Sequence, residues 1–378
     1  MSVADKKLAQ QKLIYNKQAY KNKGYKNRGV ALITVMLIVA IVATLATQMS
    51  SRLMVQMQRS TNIALNQQAY WYAMGAESFS KRVLMDVFKK EPNSTNLSQV
   101  WAQGESSFPV ADGTITGEIS DLQACFNLNA LRINDKQKNQ SSANAKNNSA
   151  RDGGGSPSSN SRNTSRKKKG KGNDSIKTMF TRLITGLEIE GIGNFEAEYM
   201  ADALADWLDK NDVISSAGGA EDSDYAAKAF PYLAANNYLA SVNELRVVEH
   251  FSVPVINALK EYTCVLPNTN LLAINVNTIT SEHALLLQAI LGISLADAEQ
   301  AIAARDKKGF KTVDDFFNLP ELAKKKIAPE LKKYFVVDSE YFQFKVKASF
   351  NNSYFSLISI LKVTDNTKIN VISRTIGS

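Results

Sequence analysis

The 378-residue chain has room for an anchor and about two domains of ordinary size, and its 45 Lys and Arg against 36 Asp and Glu give a net charge of +9. That excess is local: residues 1–28 hold eight bases and one acid, Asp135–Lys177 holds eleven bases and three acids, and the rest of the chain is acidic. An acidic body argues against nucleic-acid binding. Two histidines, with no HExxH, no metal-spaced cysteines, no G-x-S-x-G and no phosphate-cradling Gly-rich loop, leave no nucleophile–base constellation, so no enzyme and no catalytic residue is expected.

After the basic leader 1–29, Gly29 opens an uncharged stretch to Ser51, whose core Val30–Thr47 is 18 residues long. That sits at the lower edge of the roughly 20 residues that span a bilayer. It is too long and too β-branched for a secretory signal, and no A-x-A-like site follows. Lys and Arg in the leader should keep the N-terminus cytoplasmic, with residues after 51 outside. Helical spacing continues through Leu53, Met54 and Met57, then Tyr72 and Ala76, then Val83, Leu84, Val87 and Phe88, until Glu91-Pro92-Asn93 ends it. A helix over Val30–Lys90 would measure about 90 Å.

A turn at Ala111-Asp112-Gly113 precedes short strands at Ile115–Asp121 and Cys125–Leu128. Asp135–Asp174 is Asn, Ser, Gly, Lys and Arg with almost no large apolar residues, which reads as a disordered basic loop (135–175), with Arg166–Lys169 a solvated charge run. Phe342–Phe350 alternates apolar and polar residues, the period of a half-buried strand; Asn351-Asn352-Ser353 turns the chain into strands at Tyr354–Val363 and Ile369–Arg374. Strand material at both ends of a mainly helical region gives an α+β fold: a long N-terminal helix backing an antiparallel sheet, interrupted by a large inserted α-helical domain. The divisions expected are leader 1–29, membrane segment 30–51, remaining helix and first strands 52–131, insertion 132–338 and C-terminal strands 339–378.

Asp202, Asp206 and Asp209 fall on one helix face, followed by Asp212, a Gly218-Gly219 turn, Glu221, Asp222 and Asp224, with Lys210 the only base among them. Hard oxygen ligands on a Gly-containing loop suit Ca²⁺, although EF-hand spacing is absent; a solvated acidic face with helix-cap roles is the other reading. Cys125 and Cys264 are the only cysteines. In an exported domain they favour one disulfide over two buried thiols, and closing a loop of about 140 residues would contribute about 4–5 kcal/mol in the chain-entropy model. Ile274–Thr278 through Gly292-Ile293 to Phe316 (within 270–320) looks like a helix-hairpin-helix unit, which in some proteins holds DNA phosphates. Here its surroundings are acidic and its turn lacks the second Gly, so no nucleic acid is expected.

The join Lys26-Asn27-Arg28-Gly29-Val30-Ala31-Leu32-Ile33-Thr34 resembles the processing site of type IV pilin-like precursors. The resemblance implies cleavage between Gly29 and Val30 by a prepilin peptidase and N-methylation of Val30. Most pilins carry Glu at the fifth mature position, where this chain has Thr34. In the family that Glu meets a neighbour's amine in the membrane, where an isolated charge costs several kcal/mol. A subunit without it can have nothing stacked above it, which makes Thr34 a tip determinant. Asp206-Trp207-Leu208-Asp209, Gly218–Asp222, Phe126–Leu131, Leu239–Arg246 and Ile274–Thr278 are similar to segments of the K-type minor pseudopilins of type II secretion. That resemblance implies a non-enzymatic subunit that caps the pseudopilus tip and initiates its assembly. It would be single-pass in the inner membrane with a periplasmic body. It implies I-, J- and H-type partners, with the secretin and exoproteins as further ones, and Ca²⁺ held by Asp209, Asp212, Glu221 and Asp222. The alternative is a tip subunit of a type IV pilus, or a membrane-anchored DNA-uptake receptor.

Overall fold

The computed structural model describes residues 7–13, 28–111, 113–132, 175–350, 353–364 and 368–377. Most of the leader, the basic loop up to residue 174, and the turn residues Asp112, Asn351 and Asn352 lie outside the described residues. Helix α1 (Arg28–Lys90) is continuous for 63 residues, Gly75 included. The chain divides into two compact units at Gln68/Ala69. In the first, α1 is long and apolar enough to cross a membrane and carries its large apolar side chains, Leu53, Met54 and Met57 among them, exposed.

In the second unit, Ala69, Ala73, Glu77, Ser80, Leu84 and Phe88 form the buried stripe of α1, three or four residues apart. Of the expected stripe only Leu84 and Phe88 are fully buried; Tyr72, Ala76, Val83 and Val87 flank it. Small residues escape an apolar-periodicity reading, yet on the contact line they let the helix backbone approach the sheet. That sheet has the order β1-β2-β7-β8-β9 and is antiparallel throughout. Its members are β1 (Ser106–Val110), β2 (Gly113–Asp121), β7 (Tyr341–Phe350), β8 (Ser353–Thr364) and β9 (Lys368–Ile376). Edge strand β1 was not foreseen, because Pro109 breaks the pattern and is tolerated only at an edge. In β7 the alternation holds: Phe342, Phe344, Val346, Ala348 and Phe350 are buried, and Phe342 and Phe350 meet Phe88 and Tyr72 of α1.

Glu77 lies under this sheet at 1% exposure. Arg374 of β9 donates to it from Nε (2.7 Å) and Nη2 (2.9 Å), and Ser359 of β8 donates from Oγ (2.7 Å). Burial pushes its carboxyl up, but the Arg374 and Ser359 hydrogen bonds outweigh that and hold it below the usual carboxylate range. One helix carboxylate thus fixes the last two strands.

The insertion is built from α2 (Ile176–Gly186), α3 (Asn194–Leu208), α4 (Asp222–Ala226), α5 (Val253–Leu259), α6 (Ala284–Leu291), α7 (Leu295–Ala303), α8 (Val313–Phe317) and α9 (Pro320–Ala323). Two short parallel pairs accompany them: β3 (Phe126–Asn127) with β4 (Thr263–Cys264), and β5 (Ile274–Asn275) with β6 (Phe335–Val336). The expected strand Cys125–Leu128 is thus shorter and outside the main sheet; Leu128–Leu131 is a 3₁₀ turn buried in the helical core.

The two pairs begin two copies of one plan. Asn127 and Asn275 each accept from the N–H two residues on (3.2 and 2.9 Å). The amides of Asn129 and Asn277 each pair with both the N–H and the C=O of one distant residue, Leu239 and Phe310 respectively. Two residues later Ser241 and Thr312 each start a capping box, with Glu244 and Asp315 closing it. The hairpins α2–α3 and α6–α7 are the helical parts of the copies, and α2 packs on α6.

Chain entry and exit are tied together where sheet and insertion meet. Asp121, at the end of β2, accepts from Thr278 Oγ1 (2.6 Å), Ser339 Oγ (2.6 Å), Asn275 Nδ2 (3.2 Å) and the Gln123 N–H (2.8 Å). Cys125 and Cys264 are bonded, with Cα atoms 5.8 Å apart. Glu77→Ala should lower the unfolding free energy by about 2 kcal/mol, because it leaves buried Ser359 and half-exposed Arg374 without their acceptor. Denaturant midpoints read this, and a Glu77→Ala/Arg374→Ala cycle should show strong coupling.

Candidate functional site

Helix α3 brings Asp202 and Asp206 one turn apart, and its C-cap is Asp209. These are not a solvated face: Asp202, Asp206 and Asp209 are 6%, 0% and 4% exposed, and Glu221 across the loop is 2% exposed. Lys177 of α2 pairs with Asp202 and donates to Ser216 Oγ (3.4 Å). Asp206 accepts from the Ser215 N–H (3.2 Å) and Oγ (2.5 Å). Asp209 Oδ1 accepts from the N–H and Nδ2 of Asn211 (2.9 and 2.7 Å), Asp212 accepts from Asn236 Nδ2 (3.3 Å), and Asp222 Oδ1 accepts from the Ala234 N–H (2.9 Å).

The loop between them depends on two glycines. A Cβ on Gly218 would lie 2.4 Å from Tyr199 Cα, and one on Gly219 would lie 2.0 Å from Asp206 Oδ2. Any side chain there would push the loop off α3 and carry Glu221 away from the aspartates.

Glu221 is the anomaly. Both carboxylate oxygens are buried with no hydrogen-bond partner. Burial pushes its carboxyl up to about 7, and the charges of Asp206, Asp209, Asp212 and Asp222 add to the rise. Asp209, Asp212 and Asp222, the other three ligands expected from sequence, are near enough to act on Glu221 by charge. Asp206, Asn211, Ser215 and Lys177, outside that expected ligand set, also belong to the cluster. Position on the α3 face could have singled out Asp206; the other three are brought in only by the loop's path. Among the described residues no group of three or more His, Cys, Asp or Glu side chains is gathered closely enough to hold a metal ion in this arrangement. The chemistry nonetheless fits a hard cation: an orphaned buried carboxylate surrounded by like charge is a cost that a divalent ion would offset.

The other expected sites are simpler. Gly29 and Val30 lie in the first turns of α1, and Thr34 Oγ1 donates to the Ala31 carbonyl (2.9 Å), turned back on its own helix. In the hairpin, Gly292 takes φ +68° as the C-cap of α6. The N-terminus of α7 holds its own acid: Asp297 accepts from Ser294 Oγ (2.5 Å) and pairs with Lys325 (2.6 Å). A phosphate approaching those amides would meet that carboxylate.

The Glu221 shift has a sign that can be checked. A carboxyl at about 7 in the folded state against 4.5 unfolded keeps a proton that the unfolded chain releases. Chelated protein should lose stability as pH rises from about 4.5 to about 7, by about 3 kcal/mol in all. Glu221→Gln should flatten that slope and raise the melting temperature of chelated protein at pH 8; an unaltered slope would contradict the assignment.

Two family models match the chain, both described as type II secretion system (T2SS), protein K, over residues 124–268 and 274–338. The type II secretion system protein K of Aeromonas hydrophila is 34% identical over 356 residues, covering 92% of this chain and 96% of that one. That of Klebsiella pneumoniae is 32% identical, with coverage of 92% and 96%. Among solved structures, a chain of the GspK-GspI-GspJ complex from enterotoxigenic Escherichia coli superposes with a TM-score of 0.68 at 28% identity, covering 85% of this chain and 99% of that one. Long helix, antiparallel sheet, helical insertion and these likenesses agree, and the chain belongs to the type II secretion system protein K family of minor pseudopilins.

Proposed function

We propose that this chain caps the tip of the type II secretion pseudopilus and initiates its assembly for protein export across the outer membrane. The observation that carries the reading is Thr34. An uncharged side chain bonded to its own helix cannot neutralise the amine of a subunit stacked above, so growth would be possible only below. In this reading a prepilin peptidase cuts between Gly29 and Val30, Val30 is N-methylated, and residues 30–51 stay in the inner membrane with the body in the periplasm.

The relative of known structure forms a complex with GspI and GspJ. We take I- and J-type subunits as direct partners here, the H type as a near neighbour, and the secretin and exoproteins as later contacts. An apolar groove of about 590 Å³ supports helix-to-helix docking; it runs between Tyr72, Ala76, Phe79 and Val83 of α1 and Phe108 and Ile115 of the sheet.

Calcium belongs to the same reading. Asp209, Asp212, Glu221 and Asp222 would hold it, with Asp206 behind them, and it would supply the positive charge that Glu221 lacks. Millimolar Ca²⁺ should raise the melting temperature of chelated wild-type protein by several degrees, about 2.7 kcal/mol at a hundredfold excess over Kd, and Glu221→Gln should abolish most of the rise. No shift would remove calcium from this reading.

Tip placement is tested by labelling. Gold-tagged chain should appear at one end of each pseudopilus, and a deletion strain should accumulate exoproteins in its periplasm. Label along the whole filament would overturn capping. Intact mass should give a chain starting at methylated Val30 only when the peptidase is present.

A further inference from the structure

Arg52 and Arg59 are the first charged residues after the apolar stretch, and between Gly29 and Ala76 the chain has no acid at all. Both lie on α1 within the first unit, and both are exposed. Among the described residues neither guanidinium has an ion-pair partner. They are seven residues apart, so their side chains leave the helix within about 20° of each other.

Their depth is set by helix geometry. With α1 spanning the bilayer from Val30, as the preceding reading has it, Arg52 stands about 33 Å along the axis and Arg59 about 44 Å. A hydrocarbon core is about 30 Å thick and the bilayer with its headgroups about 40–45 Å. With Val30 at the near edge of the hydrocarbon, Arg52 therefore stands just past its far edge, in the outward-facing headgroup layer. Arg59 stands on the same helix face about 8 Å beyond that layer, with a long side chain that can fold back to the phosphates. Gln56, one turn beyond Arg52, lies between them with two amide donors. Two unpaired guanidiniums, which match phosphate oxygens bidentately, would otherwise face only water or neutral headgroups. Both also run against the bias of positive charge toward the cytoplasmic side, which a mere stop signal would not require.

We propose that Arg52 and Arg59, with Gln56 between them, form a phosphate-binding strip for anionic phospholipid in the outward-facing leaflet. The strip would fix the depth and rotation of α1 before the subunit joins a filament. It rests on the membrane-spanning reading of α1, and acts on lipid phosphate rather than on a protein partner.

Full-length chain is reconstituted into phosphatidylcholine vesicles with and without phosphatidylglycerol, and the lipid that co-purifies after mild extraction is measured. Wild-type chain should be enriched in phosphatidylglycerol, and Arg52→Gln/Arg59→Gln should lose that preference by up to about thirtyfold, about fivefold for each single change. Arg52→Lys/Arg59→Lys should keep only part of it, because an ammonium supplies the charge without the bidentate fork. The basic leader is common to all variants, so the difference isolates the strip. Equal enrichment in wild type and double Gln variant would overturn the proposal, as would crosslinking of these arginines to an acid of a neighbouring subunit with lipid preference unchanged. Release of wild-type chain from the vesicles by alkaline carbonate would instead overturn the anchoring reading, and this one with it.

Discussion

The pairing of β2 with β7 is the constraint on which the rest depends. Thr114–Asp121 and Phe342–Ser349 are neighbours in one sheet, with Asp121 opposite Phe342, although residues 122–341 separate them. Loop closure over that distance costs entropy, which the insertion's own core and the bonds at the join offset. The join is accordingly dense: the Asp121 carboxylate gathers donors from Thr278, Ser339 and Asn275, the Cys125–Cys264 bond lies beside it, and Gln123 accepts from the Glu340 N–H (2.6 Å). An insertion held this tightly at both ends can be large without disturbing the sheet that α1 backs.

The same economy explains the buried asparagines. Asn127, Asn129, Asn275 and Asn277 are each 0–2% exposed, and each amide satisfies backbone groups of a segment far away in sequence. A buried amide leaves few of its donors and acceptors unmade without cost, so these residues specify one path for the connecting segments. The copies share the bonds of the second asparagine and the turn of the first, and each holds a helical hairpin, with α2 of one packed on α6 of the other. The hairpin that in sequence suggests a phosphate grip is here a packing element whose helix start is closed by its own Ser294 and Asp297.

Against these satisfied groups, the acid cluster stands out. Asp206 finds Ser215, Asp202 finds Lys177, and Glu221 finds nothing. The fold tolerates this only by holding Glu221 near its protonated form or by admitting a positive charge. Other buried polar atoms, Trp207 Nε1 and Asn236 Oδ1 among them, also lack a hydrogen-bond partner, but Glu221 has both carboxylate oxygens buried without one while like charges act on it.

Much was legible in the sequence because it was local. The apolar stretch and Thr34 are read directly, and the Phe342–Phe350 alternation, the helix end at Lys90 and the carboxylate spacing on α3 follow from periods of 2 and 3.6. The Ala69, Ala73, Glu77 and Ser80 stripe was not legible, because small and polar residues carry no hydrophobic period and Glu77 makes sense only once Arg374 is folded over it. Edge strand β1 was hidden by Pro109, and β3 was assigned to the wrong sheet because a two-residue pairing has no pattern of its own. Within the candidate site the sequence named the acids, since their density alone is unusual. Only the tertiary structure decided which were buried, which found partners and which did not. That depends on the path of the Gly218-Gly219 loop over α3, a contact between segments that no local period encodes.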